Sequence, residues 1–272
     1  MPPLCIAHRG ARSLAPENTL LAARKAHALG CELWETDVAF TKDGELILFH
    51  DDSLARTTDA ERRFPKHASD PFWEWTLADI QTLSPGARFL ETDPFGQLAA
   101  GAIPQAERSA IRAERVPTLL AALELTRALG WRVNLELKRL PPERKDFPLL
   151  DRVLAAVDEA KAGPAHVLFS SGEHFWLDEL ARRRPEFDRQ ALVGLFAQEP
   201  LDYSSDRFDT YNVRGSRVPP EDVKRLAARG KTINVYTVNE EADMLRFAAA
   251  GAAGLITDFP QRQRALLRAG RL

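Results

Sequence analysis

Short apolar runs alternate along this chain with stretches whose apolar positions recur every three to four residues. The first run covers residues 4–7 and ends at the polar loop His8-Arg9-Gly10. Pro16 then opens a helical pattern through Leu20, Ala23, Ala26 and Leu29, which Gly30 stops. Residues 33–40 and 45–49 read as two strand arms folded about Lys42-Asp43-Gly44, because Asp-Gly is a strong hairpin signal. From residue 117 onward the alternation is regular. Helices are expected over 117–129, 147–161, 173–184, 219–228, 240–249 and 260–269. Strands are expected over 131–137, 167–169, 191–196, 208–213, 232–236 and 253–256. With residues 45–49 set aside as a hairpin arm, eight strands remain, the number that closes a TIM (β/α)8 barrel of the α/β class. A doubly wound open sheet is the alternative. It is less favoured because no glycine-rich dinucleotide fingerprint follows the first strand.

Residues 51–116 fit no simple strand–helix unit. Five prolines, at 65, 71, 85, 94 and 104, interrupt the stretch, and Phe72, Trp73 and Trp75 give it bulk. Thr76-Leu77-Ala78-Asp79 reads as a capping box opening a short helix. A connection this long is usually functional or a small subdomain. The expected organisation is one domain over residues 1–272, with an insertion at about 51–116 after the second barrel strand.

Composition adds mainly exclusions. Apolar residues make up 44% and charged residues 28%, ordinary for a soluble globular protein. A formal net charge of −2 gives no general attraction to nucleic acid or to an anionic membrane. Cys5 and Cys31 sit in apolar surroundings and read as small core residues. No basic region followed by an apolar run opens the chain, and no run is long enough to span a membrane. The expectation is a cytoplasmic protein without integral membrane association. Nothing in the sequence indicates its oligomeric state.

The hairpin is where chemistry first shows. Glu35 and Asp37 are two apart, so a strand sends both side chains from one face. His50 ends the return arm and folds back close to Asp37. Buried unpaired carboxylates are costly, so a bound cation with an acid/base group beside it is the economical reading. Other polar residues also fall at strand ends: His8 with Arg9, Glu136 with Lys138, Ser170 with Ser171, and Asp258. In a barrel these ends share the face where catalytic groups gather. Three carboxylates with few imidazoles suit Mg²⁺ or Ca²⁺ better than zinc. Arg and Lys nearby suit an anionic phosphoryl substrate, and two histidines suit proton transfer. Each residue alone has a plainer role available. His8 could be a hydrogen-bonded core histidine, Glu35 and Asp37 could face solvent, and His50 could cap a turn. Glu136 and Lys138 could be an internal salt bridge, Pro16-Glu17-Asn18-Thr19 a helix start, and Asn239 a helix N-cap. Ser170 and Ser171 lack a nucleophile-elbow context. The joint placement at strand ends favours the functional reading.

At these residues the chain resembles the glycerophosphodiester phosphodiesterase family. The resemblance rests on His8-Arg9-Gly10, Pro16-Glu17-Asn18-Thr19, Glu35-x-Asp37, Thr41-Lys42-Asp43-Gly44, His50-Asp51 with Leu54-x-Arg56-Thr57-Thr58, and Asn134-Leu135-Glu136-Leu137-Lys138. A weaker match runs from Val235-Tyr236-Thr237-Val238-Asn239 to Gly254-Leu255-Ile256-Thr257-Asp258. The resemblance implies a TIM barrel that hydrolyses glycerophosphodiesters to glycerol 3-phosphate and an alcohol. It implies that Glu35, Asp37 and Glu136 bind one divalent cation, Mg²⁺ or Ca²⁺. It makes His8 and His50 the acid/base pair, with His8 assigned as acid and His50 as base in an order that sequence does not settle. Arg9 and Lys138 would lie near the phosphate, Tyr236 at the substrate side of the mouth, and Glu17 and Asn18 in support. Tyr236 stands where the family usually has Trp, and Gly86-Ala87-Arg88-Phe89 where its insertion commonly has Gly-x-Trp-Phe. Both departures bear on recognition of the alcohol. Two other functions are weighed against this one. A lysophospholipase D-like activity would need an apolar groove, offered by Phe72, Trp73 and Trp75. The other is a catalytically inactive, phosphodiester-binding barrel.

Overall fold

Strand Leu33–Phe40 is buried along its whole length, which suits a parallel sheet covered on both faces. In the computed structural model, which describes residues 2–195, 198, 201, 203 and 207–272, this strand is one of eight in a closed barrel. In chain order the strands are β1 Leu4–His8, β2 Leu33–Phe40, β3 Leu46–Leu48, β4 Val133–Leu137, β5 Val167–Ser171, β6 Arg189–Val193, β7 Thr210–Arg214, β8 Thr232–Tyr236 and β9 Gly254–Thr257. The ring runs β1-β9-β8-β7-β6-β5-β4-β2, and the β1–β2 pairing closes it with every neighbour parallel. This is the expected TIM barrel. Strand β3 stands outside the ring. It pairs antiparallel with the end of β2, Val38 opposite Leu48 and Phe40 opposite Leu46, so the hairpin forms as expected.

Helices cover the barrel, and the main core lies between the two layers, around Trp34, Leu135, Val153, Phe169, Val213 and Leu255. Inside the barrel, Ile6, Leu33, Leu168 and Ile256 form a separate apolar plug with Tyr236 packed against it. Polar side chains take over above the plug.

Several boundaries differ from expectation by a residue or more, and three of them bear on local structure. The first helix is Leu20–Ala28 rather than starting at Pro16, because Thr19 caps it by accepting from the Ala22 N–H at 3.2 Å. Asn18 just before it is left-handed at φ 56°, so residues 16–18 turn instead of coiling. Strand β5 runs on through Ser171 and buries both serines. Strand β6 begins at Arg189, two residues early, and its expected end, Phe196, lies outside the described residues.

The insertion after the hairpin holds short helices at Ala60–Arg63, Leu77–Thr82, Pro85–Thr92 and Arg108–Ala113. Thr76 caps the second of these, accepting from the Asp79 N–H at 3.2 Å. Gly86 is required where the third and fourth cross: a Cβ there would sit 1.7 Å from the Ile111 carbonyl oxygen. Phe72 and Trp75 do not form an open groove. They are buried with Ile80 and Leu83 against Ile47 and Phe49 of the hairpin, and Trp73 packs on the same cluster. The outer side of the hairpin is apolar and needs cover, and these rings provide it. Cys5 and Cys31 are buried free thiols, 3.6 Å apart at sulfur. No helix among the described residues is long and apolar enough to cross a membrane.

Candidate active site

Strand β2 sends Glu35 and Asp37 inward, and the β2–β4 register sets Glu136 beside Asp37. One oxygen from each carboxylate lies within 4.8 Å of the others. Burial, and then repulsion from Asp37 and Glu136, push the Glu35 carboxyl well above its usual range. Its Oε1 is buried without a hydrogen-bond partner. Burial, and then Asp37, also raise Glu136. Asp37 behaves oppositely. Burial alone would raise it, but Lys138 and Arg9 hold its carboxyl well below the usual range. Lys138 Nζ is 3.4 Å from Oδ1, and Arg9 Nε is 3.2 Å from Oδ2. Asn18 Nδ2 donates to the same Oδ2 at 3.0 Å. A hard divalent cation fits this cluster. It would neutralise the two reluctant carboxyls and give the orphaned Glu35 oxygen a partner.

Each histidine stands on an aspartate. His8 Nδ1 is 2.6 Å from Asp258 Oδ1, and its Nε2 lies 3.9 Å from Glu35 Oε2. Burial and the Arg9 charge outweigh Asp258 and bring the His8 pKa down to about 4. Asn239 grips Asp258 twice, donating from Nδ2 to Oδ2 at 2.8 Å and accepting the Asp258 N–H at 2.9 Å. His50 Nδ1 is 2.7 Å from Asp51 Oδ1, and the Arg56 guanidinium clasps Asp51 from the other side. The hairpin delivers His50 to the cluster: the Phe49 N–H donates to the Asp37 carbonyl at 3.1 Å. Lys138 Nζ donates to the His50 carbonyl at 3.0 Å.

Behind this centre, Glu17 ties three arginines together. It meets Arg9 at 2.8 Å, Arg12 at 2.6 Å and Arg56 at 2.7 Å. Burial would raise Glu17, but Arg12, Arg56 and Arg9 bring it down to about 2. The loop that carries Arg9 turns at Gly10, where φ is +80° and a Cβ would lie 2.7 Å from the Ala22 Cβ. The Arg9 N–H itself donates to Glu35 Oε2 at 3.1 Å.

These groups share one cavity of about 900 Å³ at the C-terminal ends of the strands. His8, Arg9, Glu35, His50, Glu136, Lys138 and Tyr236 line it. Asp37, Glu17 and Asn18 sit behind that lining and hold it. Tyr236 donates its hydroxyl to the Val193 carbonyl at 3.4 Å. Asn239 is a correction, because it is no N-cap. The helix Glu241–Ala249 has Glu240 at its cap position, with no side-chain cap bond, and the Asn239 amide spends itself on Asp258. Sequence reasoning named Asp258, Asp51 and Arg56 only within motifs and strand ends, without a specific role, and did not single out Arg12. Asp51 directly follows His50, and Asp258 ends a strand as the other acids do, so a signal for both was present.

Comparison with known proteins agrees with this picture. The model of the glycerophosphoryl diester phosphodiesterase family matches residues 8–262. The chain is 31% identical over 275 residues to a glycerophosphodiester phosphodiesterase of Caldanaerobacter subterraneus subsp. tengcongensis, covering 99% of this chain and 100% of that one. It is 29% identical over 240 residues to a glycerophosphoinositol inositolphosphodiesterase of Mus musculus, covering 88% of this chain but only 42% of that longer protein. Its backbone superposes on a phosphodiesterase of Oleispira antarctica, solved in complex with the product sn-glycerol-3-phosphate. The TM-score is 0.78 at 25% identity, over 98% of this chain and 97% of that one. With a family match that spans every group of the cavity described above, the chain belongs to the glycerophosphoryl diester phosphodiesterase family.

Proposed function

We propose that this protein hydrolyses glycerophosphodiesters to glycerol 3-phosphate and an alcohol, using one divalent cation, Mg²⁺ or Ca²⁺, and the histidine pair His8 and His50. One observation carries the reading: the Glu35–Asp37–Glu136 cluster shares its cavity with two aspartate-backed histidines and two cations. Glu35, Asp37 and Glu136 would hold the ion. When bound, such an ion polarises a phosphoryl oxygen and lowers the pKa of a hydroxyl beside it. Arg9 and Lys138 bind and orient the phosphate. One histidine takes the proton of the neighbouring glycerol hydroxyl as that oxygen attacks phosphorus. The other protonates the oxygen of the departing alcohol. Water then opens the cyclic phosphate with the two roles exchanged, returning both histidines to their starting states. Each imidazole has its Nδ1 on an aspartate, so Nε2 is the atom left for proton exchange. The barrel and the insertion share one hydrophobic cluster across the hairpin, which supports residues 1–272 acting as one domain.

The test uses glycerophosphocholine and glycerophosphoethanolamine with Mg²⁺ or Ca²⁺, with and without chelator, and measures glycerol 3-phosphate release. Chelator should abolish turnover, and His50→Ala should lower it by about 10²- to 10⁴-fold. Chelator-insensitive turnover, or an undiminished rate in His50→Ala, overturns the mechanism. A lysophospholipase D-like function has no observation in its favour, because Phe72 and Trp75 are consumed in the insertion's core. Ligand binding without turnover would instead support an inactive binding barrel.

A further inference from the structure

The insertion also reaches the His8 side of the centre, through Phe95. This residue lies outside the cavity lining, in the segment that joins the helices Pro85–Thr92 and Arg108–Ala113. Asp93 folds the segment back, accepting the Leu98 N–H at 3.0 Å and the Ala99 N–H at 2.9 Å. Phe95 packs on the apolar cluster of Phe89, Ile103 and Ile111, which Leu14 and Leu21 of the barrel share. Its ring meets Phe259, the residue after Asp258, edge-on, with centroids 5.6 Å apart and planes at 87°. Phe259 is itself backed by the Arg262 guanidinium, 4.4 Å from its centroid. The Arg12 guanidinium lies 5.2 Å from the Phe95 centroid.

Arg12 sits unequally between two carboxylates. Its Nη2 is 2.6 Å from Glu17 Oε2, whereas its Nη1 stops 3.5 Å from Asp258 Oδ1. The same Nη1 lies 3.4 Å from His8 Nδ1. That last contact is no hydrogen bond. His8 Nδ1 gives its proton to Asp258 Oδ1 at 2.6 Å, so two N–H donors face one another. Arg12 and His8 therefore contend for one oxygen. A shift of about 0.7 Å would bring Arg12 to the ~2.8 Å of a charge-assisted bond with Asp258. Asp258 would then serve Arg12, and the His8 imidazole would lose the partner that fixes its tautomer and aim. Arg12 Nε is buried without a hydrogen-bond partner, so no hydrogen bond at that atom holds the guanidinium back. The Phe95 ring does, through a cation–π attraction of about 0.5–2 kcal/mol.

We propose that Phe95 is a positioning residue for the reaction: its ring holds the Arg12 guanidinium on Glu17 and off Asp258 Oδ1, so that Asp258 stays with His8. This goes beyond the function proposed above and rests on it. The insertion then serves proton transfer from outside the cavity, as well as covering the hairpin. A defect at Phe95 acts on the chemical step, whichever alcohol leaves.

The test measures kcat and KM for glycerophosphocholine and glycerophosphoethanolamine at saturating metal. Phe95→Leu keeps an apolar side chain and removes the π face. Its kcat should fall about 10-fold on both substrates, with KM within about twofold of wild type. Phe95→Tyr keeps the face and should stay within about threefold of wild type. Arg12→Gln removes the cation and leaves Glu17 paired with Arg9 and Arg56. In that background Phe95→Leu should cost less than about twofold more. A loss of folded protein would persist there, so the double-mutant cycle separates positioning from stability. Arg12→Met supplies a second background should Arg12→Gln not fold. An undiminished kcat in Phe95→Leu would overturn the assignment. So would the same loss with and without Arg12, a Phe95→Tyr variant as impaired as Phe95→Leu, or a loss confined to KM or to one alcohol. Each of these outcomes leaves phosphodiester hydrolysis standing. Absence of wild-type turnover on both substrates with any metal would overturn the function itself, and this assignment with it.

Discussion

If the proposed cation binds the carboxylate cluster, the protein's stability should depend on it, and a single substitution should remove most of that dependence. Glu35 has a folded-state pKa raised above its ordinary value by burial and by Asp37 and Glu136. A raised carboxyl contributes stability that is fully present below its unfolded pKa and is lost as pH rises through the folded one. The metal-free protein at neutral pH therefore bears the repulsion. At 4.8 Å and an effective dielectric of about 20, two carboxylates repel by about 3 kcal/mol. Arg9 offsets part of this. Glu35→Gln keeps the shape and the oxygen that accepts the Arg9 N–H, but it cannot ionise. In chelator it should melt higher than the wild type, by an increment that grows with pH. Cation binding acts the other way. At a concentration about 100 times Kd it adds about 2.7 kcal/mol. A chain of 272 residues unfolds with an entropy of about 0.6 kcal/mol/K near its midpoint, so the wild type should gain ~5 °C. Glu35→Gln should gain about 1 °C or less at the same concentration. The assay is thermal unfolding in chelator, Mg²⁺ and Ca²⁺ at pH 6, 7 and 8. The reasoning fails if Glu35→Gln in chelator is less stable than the wild type, or if it keeps the full metal-dependent rise.

Three further outcomes follow from the same geometry. Glu17, pulled from 4.5 to about 2 against burial by Arg12, Arg56 and Arg9, contributes stability that is present above pH 4.5 and lost as pH falls towards 2. The contribution is about 3 kcal/mol, so Glu17→Gln should flatten acid unfolding between those limits, and a wild-type slope in the variant would contradict this. His8→Ala and His50→Ala should both be severely impaired on glycerophosphocholine, but only the variant lacking the proton donor should recover when the leaving group is p-nitrophenol, which needs no proton; equal recovery would refute a division of roles. Gly10→Ala places a methyl 2.7 Å from the Ala22 Cβ at a φ of +80°, so its melting temperature should fall by several degrees, for a cost of about 2 kcal/mol or more; an unchanged melting temperature would show that the loop yields freely.

The sequence made legible whatever depends on local period, and it missed whatever the barrel joins by closing. The inward aim of Glu35 and Asp37 follows from a spacing of two on a strand buried throughout. The place of His50 follows from an Asp-Gly turn between two apolar arms. Neither kind of pattern connects His8 to Asp258, which are 250 positions apart and meet only because β1 pairs with β9. Asn239 misled for a related reason. It precedes a helix, where an amide usually caps, but closure places the Asp258 carboxylate within 2.8 Å, and a charged acceptor outcompetes a backbone N–H. Pro16 misled because proline suits a first helical turn, whereas Thr19 supplies the actual cap and Asn18 turns the chain so that its amide meets Asp37. The aromatics of the insertion show no period, which left an apolar groove as one reading of them, yet they cover the hairpin that holds His50. The last strand is thus as much a part of the site as the first. It orients one histidine, and the insertion's core, through Phe49, steadies the other.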